Sequence, residues 1–202
     1  KEVLTKTELF FLDLLSNYQW DRPISFLSAG GDINIGIKDY LMYDGFSYRF
    51  VPIRNKTTRL VNDFTDPEDL YRKMTSVYEW NALKRNDWFV DYHNLQIFAG
   101  TQNQRKIFVD AAQIMLEAGE TEKAVEILDM CQEAVPENVI PQDITAYGFN
   151  NEQYVTLMID LYYKAEESAK AAEMAAGFSD RLLETAAFFM KYPDWAKDNF
   201  DL

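Results

Sequence analysis

"RKIFVDAAQIMLEAGETEKAVEILDMCQEAVPEN", residues 105–138, decides how this chain is read. Apolar residues recur at three- and four-residue steps on both sides of Gly119. That is the pattern of two amphipathic helices joined by a tight turn. Pro136 stops the second helix, because its ring cannot continue the hydrogen-bond ladder. Small side chains at Ala112 and Ala124 let the two helices approach closely, and larger ones fill the seam.

Taking Pro136 as the closing proline of a 34-residue tetratricopeptide repeat tests the register. The first-helix positions fall on Phe108, Ala111, Ala112 and Met115, and the second-helix positions on Ala124, Leu128 and Cys131. Phe108, Ala112, Ala124, Leu128 and Pro136 are therefore expected to be packing residues of one repeat. A weaker unit follows in residues 151–190. Its first helix carries Tyr154, Leu157, Met158, Leu161 and Tyr162, and a turn is expected at Ala165 to Glu167. An alanine-rich helix with Ala169, Ala172 and Ala176 comes next, then a further helix from Ser179. "VIPQDITAYGF", residues 139–149, is longer than a repeat turn allows. One good repeat and one degenerate one make a small helical layer rather than a long solenoid.

Working toward the N-terminus, the pattern changes. "TELFFLDLLSN", residues 7–17, reads as a helix capped by Thr5 or Thr7 and ended before Pro23. Ile24–Leu27 is a short strand candidate. Residues 34–45 read as a helix closed by Gly45, and Phe46–Ile53 alternates like a strand. The two strands are expected to pair in parallel through that helix, as a right-handed crossover. Residues 59–64 suggest a returning strand. "TDPEDLYRKM", residues 65–74, is a helix start, with Thr65 or Asp66 as cap and Pro67 in the first turn. Residues 81–95 read as an ordered loop with a short strand. The expected class is α+β: a small unit of two or three short strands with helices over residues 1–98, then a tetratricopeptide-like helical hairpin array over 99–202, packed as one body.

Chemistry is constrained mainly by what the residue types disfavour. The 33 Asp and Glu exceed the 20 Lys and Arg, for a formal charge of −13, so a phosphate backbone is repelled and no nucleic-acid partner is expected. The glycines of "SAGGDINIG", residues 28–36, fit neither a P-loop nor a dinucleotide loop, and Asp32 would put negative charge where a phosphate sits. With one His (His93) and one Cys (Cys131) there is no Cys/His zinc set. No G-x-S-x-G elbow or D-x-D-x-D-G calcium pattern occurs. Carboxylate pairs are abundant, but a sequence cannot supply the distance across a cleft that a hydrolase needs. The aromatics between Tyr71 and Tyr92 suit a structural cover better than a ligand groove. The expectation is thus no catalytic residue, no metal and no cofactor. No apolar run reaches the ~20 residues that span a bilayer. The chain opens at Lys1 rather than Met, as a processed or excised piece of a longer protein would.

Three blocks carry a resemblance in order: "LDLLSNYQWDRPISF", "IKDYLMYDGFSYRFVPIRNK" and "AAQIMLEAGETEKAVEILDMCQEAVP". Over about residues 7–190 they resemble the C-terminal region of the family called domain of unknown function 2723. Those are multi-pass membrane proteins similar to protein O-mannosyltransferases. The matching signature residues are Arg22, Pro23, Tyr40, Gly45, Tyr48, Arg49 and Pro52, all expected to be structural. The chain departs from the family pattern at Ser25 and in the Ala-Gly-Gly-Asp insert. The resemblance implies a non-catalytic soluble tail of a membrane-embedded, glycosyltransferase-like bacterial protein. Such a tail sits at the periplasmic face of the cytoplasmic membrane, attached through a preceding membrane part. Its partner would be a polypeptide acceptor or its own membrane domain. A free-standing periplasmic helical-repeat module for glycan or peptide is the alternative, and a carboxylate-based hydrolase ranks third. The sequence leaves the oligomeric state open.

Overall fold

The computed structural model describes residues 3–27, 35–56, 64–82, 84, 91, 99–143, 145–146 and 149–192. The class is α+β. The chain divides into two compact units, Lys1–Val77 and Tyr78–Leu202. The break thus comes before the expected residue 98, because the segment after Val77 packs with the helices that follow it. The Trp80 ring lies 4.3 Å from that of Phe108, and Lys84 Nζ donates to Glu133 Oε2 at 3.2 Å.

In the first unit, α1 (Lys6–Ser16) starts with a reciprocal cap. Thr5 Oγ1 accepts from the Glu8 N–H at 3.2 Å, and Glu8 Oε2 accepts from the Thr5 N–H at 2.7 Å. Two orphan donors of the helix start are satisfied this way, which lets the Glu8 side chain be buried. The strands β1 (Ser25–Phe26), β2 (Leu41–Tyr43) and β3 (Tyr48–Phe50) form a sheet in the order β1-β3-β2, antiparallel throughout. Phe26 lies opposite Tyr48, and Met42 opposite Arg49. Phe11 of α1 meets Phe26 and Phe50 edge-on, at 5.4 and 5.8 Å.

This corrects the expected parallel pairing and the expected helix over 34–43. Gly36 takes φ +81, and only one 3₁₀ turn, Ile37–Tyr40, follows it. Leu41, Met42 and Tyr43 then extend as β2. Gly45, at φ +96, belongs to a hairpin turn rather than a helix end. Asp44 N–H donates to the Ser47 carbonyl at 3.0 Å, and Ser47 Oγ donates to Asp44 Oδ1 at 2.8 Å. Asp-Gly between apolar runs is a hairpin signal, and a hairpin partner is antiparallel by construction.

Helix α2 (Pro67–Ser76) is capped by Asp66, whose Oδ1 accepts from the N–H groups of Glu68 and Asp69. Leu70 and Met74 are its buried face. Just before it, the Tyr43 N–H donates to the Phe64 carbonyl at 2.9 Å, and the Thr65 hydroxyl donates to the Tyr43 carbonyl. Asp69 gathers Arg49, Arg72 and Lys73 at 3.0, 2.6 and 2.8 Å. The Lys73 bond first, then those from Arg72 and Arg49, hold its carboxyl well below the usual carboxylate range. The strand expected over 59–64 and the glycine loop with Asp32 lie mainly or wholly outside the described residues, as do His93, Trp88, Phe89 and Tyr92.

The second unit holds α3 (Ala99–Glu117), α4 (Thr121–Ala134), the two-residue strands β4 (Thr145–Ala146) and β5 (Phe149–Asn150), α5 (Asn151–Lys164) and α6 (Ser168–Lys191). Helix α3 packs on α4 and on α5, and α5 packs on α6. Phe108, Ala111, Ala112 and Met115 meet Ala124, Leu128 and Cys131 in a fully buried seam. In α6 the buried residues are Ala171, Met174 and Phe178, while Ala169, Ala172 and Ala176 are exposed. The further helix expected from Ser179 is the continuation of α6. Ser179 Oγ donates to the Ala175 carbonyl one turn back, and the ladder runs on.

Candidate functional site

Between α4 and α6 the second unit has a groove of about 740 Å³. Its origin is the packing of the helices. Leu128 and Cys131 point into the seam, so Asp129, Gln132 and Glu133 project on the other side of α4. Burial of Ala171, Met174 and Phe178 likewise turns Glu173, Asp180 and Glu184 outward on α6. The segment after Pro136 closes one end with Glu137 and Gln142. Six carboxylates therefore face two cations, Lys170 and Arg181.

Both cations are already held. Lys170 Nζ donates to Asp129 Oδ2 at 2.6 Å. Arg181 Nε donates to Asp143 Oδ1 at 3.1 Å and lies 3.6 Å from Glu137 Oε1. These carboxylate bonds raise both cations' affinity for their proton. The wall of α4 is pinned by Tyr162 of α5. Its hydroxyl donates to Asp129 Oδ1 at 2.8 Å and accepts from Gln132 Nε2 at 2.8 Å. Burial first, then the bond to Asp129, pushes the phenol's ionisation far above its ordinary range.

The closing segment is held from beneath by Arg105, which is almost fully buried. Its Nη2 donates to the carbonyls of Val135 at 3.2 Å and Ile140 at 2.6 Å, while Nη1 has no partner among the described residues. Burial lowers the guanidinium's proton affinity. Glu137 is perturbed the other way. Burial raises its carboxyl pKa, although the Gln142 N–H donates to Oε2 at 2.9 Å. Cys131 lies fully buried, its thiol pushed up to about 12 by burial, which keeps it out of nucleophilic chemistry at neutral pH. Such a groove can attract and align a cationic chain. Among the described residues no three His, Cys, Asp or Glu gather where they could hold a metal ion.

The signature residues are scattered around the first unit. Tyr48 and Arg49 lie in β3, and Tyr40 ends the 3₁₀ turn. Arg49 Nη2 reaches Asp69, while its Nε has no partner among the described residues. Gly45 makes the hairpin turn, Pro23 and Pro52 are exposed, and Arg22 is exposed with Asp21 at 3.7 Å. Phe108, Ala112, Ala124 and Leu128 come together in the α3–α4 seam, with Pro136 just beyond. The groove's polar lining comes from residues the sequence does not single out, and Tyr162, expected as a helix packing position, ties it together. Asp129, Tyr162 and Lys170 are separated by 33 and 41 positions in their contacts, and only the packing joins them.

Among known proteins, the family described as TMEM260-associated domain 2 matches residues 1–69. That is the α1–sheet unit up to the start of α2 and about a third of the chain. Curated proteins and solved structures give no match. No helix among the described residues is long and apolar enough to cross a membrane.

Proposed function

We propose that this chain is a non-catalytic, extramembrane part of a membrane glycosyltransferase-like protein, and that its helical unit receives a polypeptide. The match to a TMEM260-associated domain over residues 1–69 supports the parentage. The ordered resemblance to the domain of unknown function 2723 family supports it as well, and a periplasmic face of the membrane is the location we propose on that basis. The observation that carries the binding role is the groove between α4 and α6. It is concave, lies outside the packed seam, and presents six carboxylates against two cations that are already paired. Helical repeats offer such concave faces to peptides, and this charge favours a segment rich in Lys or Arg. In this reading the domain needs no cofactor and binds no nucleic acid.

The test is a titration of the full chain with unstructured peptides of equal length, one Lys-rich and one Glu-rich. The Lys-rich peptide is expected to bind, to weaken steeply with added salt, and to weaken again in Glu173→Lys and Glu184→Lys. Equal affinity for both peptides, or indifference to both substitutions, overturns the groove. Several hydrophobic spans encoded upstream of Lys1 are expected for the parent, and glycosyl transfer by the chain alone would overturn the non-catalytic role.

A further inference from the structure

We propose that a second site, a hollow at the C-terminal end of α1, binds a guanidinium group, as on an arginine side chain of a polypeptide. It lies in the first unit, goes beyond the groove, and does not depend on it.

The hollow has a volume of about 250 Å³. Phe10, Tyr18 and Leu14 give it apolar walls, and Asp13, Asp21 and Gln19 supply polar groups. Several independent features of it have the same sign. Asp13 and Asp21 are carboxylates, and no Lys or Arg lines the space. The last turn of α1 has no basic residue, so no cation of the helix offsets the negative end of its dipole, although Ser16 Oγ and Asn17 Nδ2 donate to the Asp13 carbonyl. The rings add a third contribution, because an aromatic face attracts a cation. The Tyr18 and Trp20 rings lie 4.8 Å apart, tilted by 48°.

Trp20 is half-exposed, yet it is fixed. Its backbone takes φ +60, a conformation L residues avoid, and its ring stacks on Phe50 at 6.0 Å and 16°. A rigid aromatic beside the hollow orders little on binding. A planar guanidinium matches these features better than a compact ammonium, since it stacks on rings and reaches carboxylates with a fork of donors. Arg22 already leans toward Asp21, but at 3.7 Å, with its own side chain mostly in solvent. The two carboxylates, the helix end without a basic residue and the ring faces disfavour an anion; Arg22 beside Asp21 has the opposite sign.

The full chain, isotopically labelled, is titrated with N-acetyl-arginine amide and, separately, with N-acetyl-citrulline amide and a methyl hexoside. Arginine amide is expected to bind in the millimolar range and to shift the backbone signals of Asp13, Asn17, Tyr18 and Trp20 together. Citrulline amide has the same shape without the charge, and it is expected not to bind. Asp13→Asn combined with Asp21→Asn changes only exposed groups, and it is expected to weaken the arginine probe roughly fivefold. Tyr18→Ala gives a loss of similar size, with a thermal melt as the check on folding. Glu173→Lys in the groove leaves the arginine probe's affinity at the hollow unchanged. Equal binding of citrulline, preference for the hexoside, shifts elsewhere only, or an unaffected Asp13/Asp21 variant each overturns the proposal.

Discussion

The two helical hairpins of the second unit close with the same turn and a different residue at its critical position. After α3, the Gly119 N–H donates to Leu116 at 3.0 Å and the Glu120 N–H to Met115 at 2.9 Å. After α5, the Glu166 N–H donates to Tyr163 at 3.1 Å and the Glu167 N–H to Tyr162 at 2.9 Å. Each is a Schellman cap, and each needs one left-handed residue. Gly119 supplies it at φ +81, and Glu166 at φ +63. Glycine takes that conformation at little steric cost, while glutamate pays roughly 1–2 kcal/mol. The packing of α5 on α6 and α3 imposes the turn whatever residue stands there. The first hairpin is locally consistent, and the second relies on its surroundings.

The largest test of this contrast is in the cores. Phe108 is fully buried beneath Trp80, whereas Phe178 of α6 keeps a little exposure. Phe108→Ala is expected to lower unfolding stability by about 3–5 kcal/mol, and Phe178→Ala by less. Denaturant midpoints with unchanged slopes would show it. Equal losses would erase the difference between the hairpins.

The turns themselves come next. Gly119→Ala meets no neighbouring atom within 4 Å, so its cost is backbone strain alone, about 1 kcal/mol. Glu166→Gly relieves the same strain and should stabilise, by somewhat under 1 kcal/mol once glycine's freedom in the unfolded chain is counted. Opposite signs at equivalent positions are the prediction. A destabilising Glu166→Gly would mean that the side chain does more than occupy the turn.

The first hairpin was legible because its signals are local. Gly119, the close-approach alanines and Pro136 each say the same thing within 34 residues. The second was legible in outline only. A turn at 165–167 could be read, but nothing about Glu166 announces a left-handed residue. A separate helix was expected from Ser179, and the ladder of α6 runs straight through it. In the first unit, Leu41–Tyr43 has a run of large apolar side chains that suits a helix or a strand equally, and Gly36 with the Asp44–Gly45 turn decided for a strand. The groove was least legible. Its acidic residues look like any solvated helix face until Tyr162 joins α5 to Asp129.

That junction gives the third test. Tyr162→Phe keeps the ring and removes one donor and one acceptor, leaving Asp129 with Lys170 alone. A loss of about 1 kcal/mol is expected. Peptide binding in the groove should weaken with it, because the α4 wall is no longer tied to the second hairpin. Unchanged binding with the stability lost would separate the network from the site.

The smallest effect lies in the segment that joins the hairpins, and it depends on pH. Burial raises the Glu137 carboxyl pKa above its unfolded value. A carboxyl raised on folding favours the native state while it stays protonated, and that contribution is lost as pH rises through the folded value. The ionised group then sits in a place that opposes its charge, with Arg181 at 3.6 Å giving partial relief. Glu137→Gln keeps an oxygen to accept the Gln142 N–H and removes the ionisation. The variant should match the parent near pH 4 and exceed it at pH 7, by less than about 1 kcal/mol because the side chain is partly in solvent. Denaturant midpoints at the two pH values measure this. A variant less stable at pH 7 would show that the ion pair with Arg181 outweighs burial, and that charge rather than packing holds the second hairpin to the first.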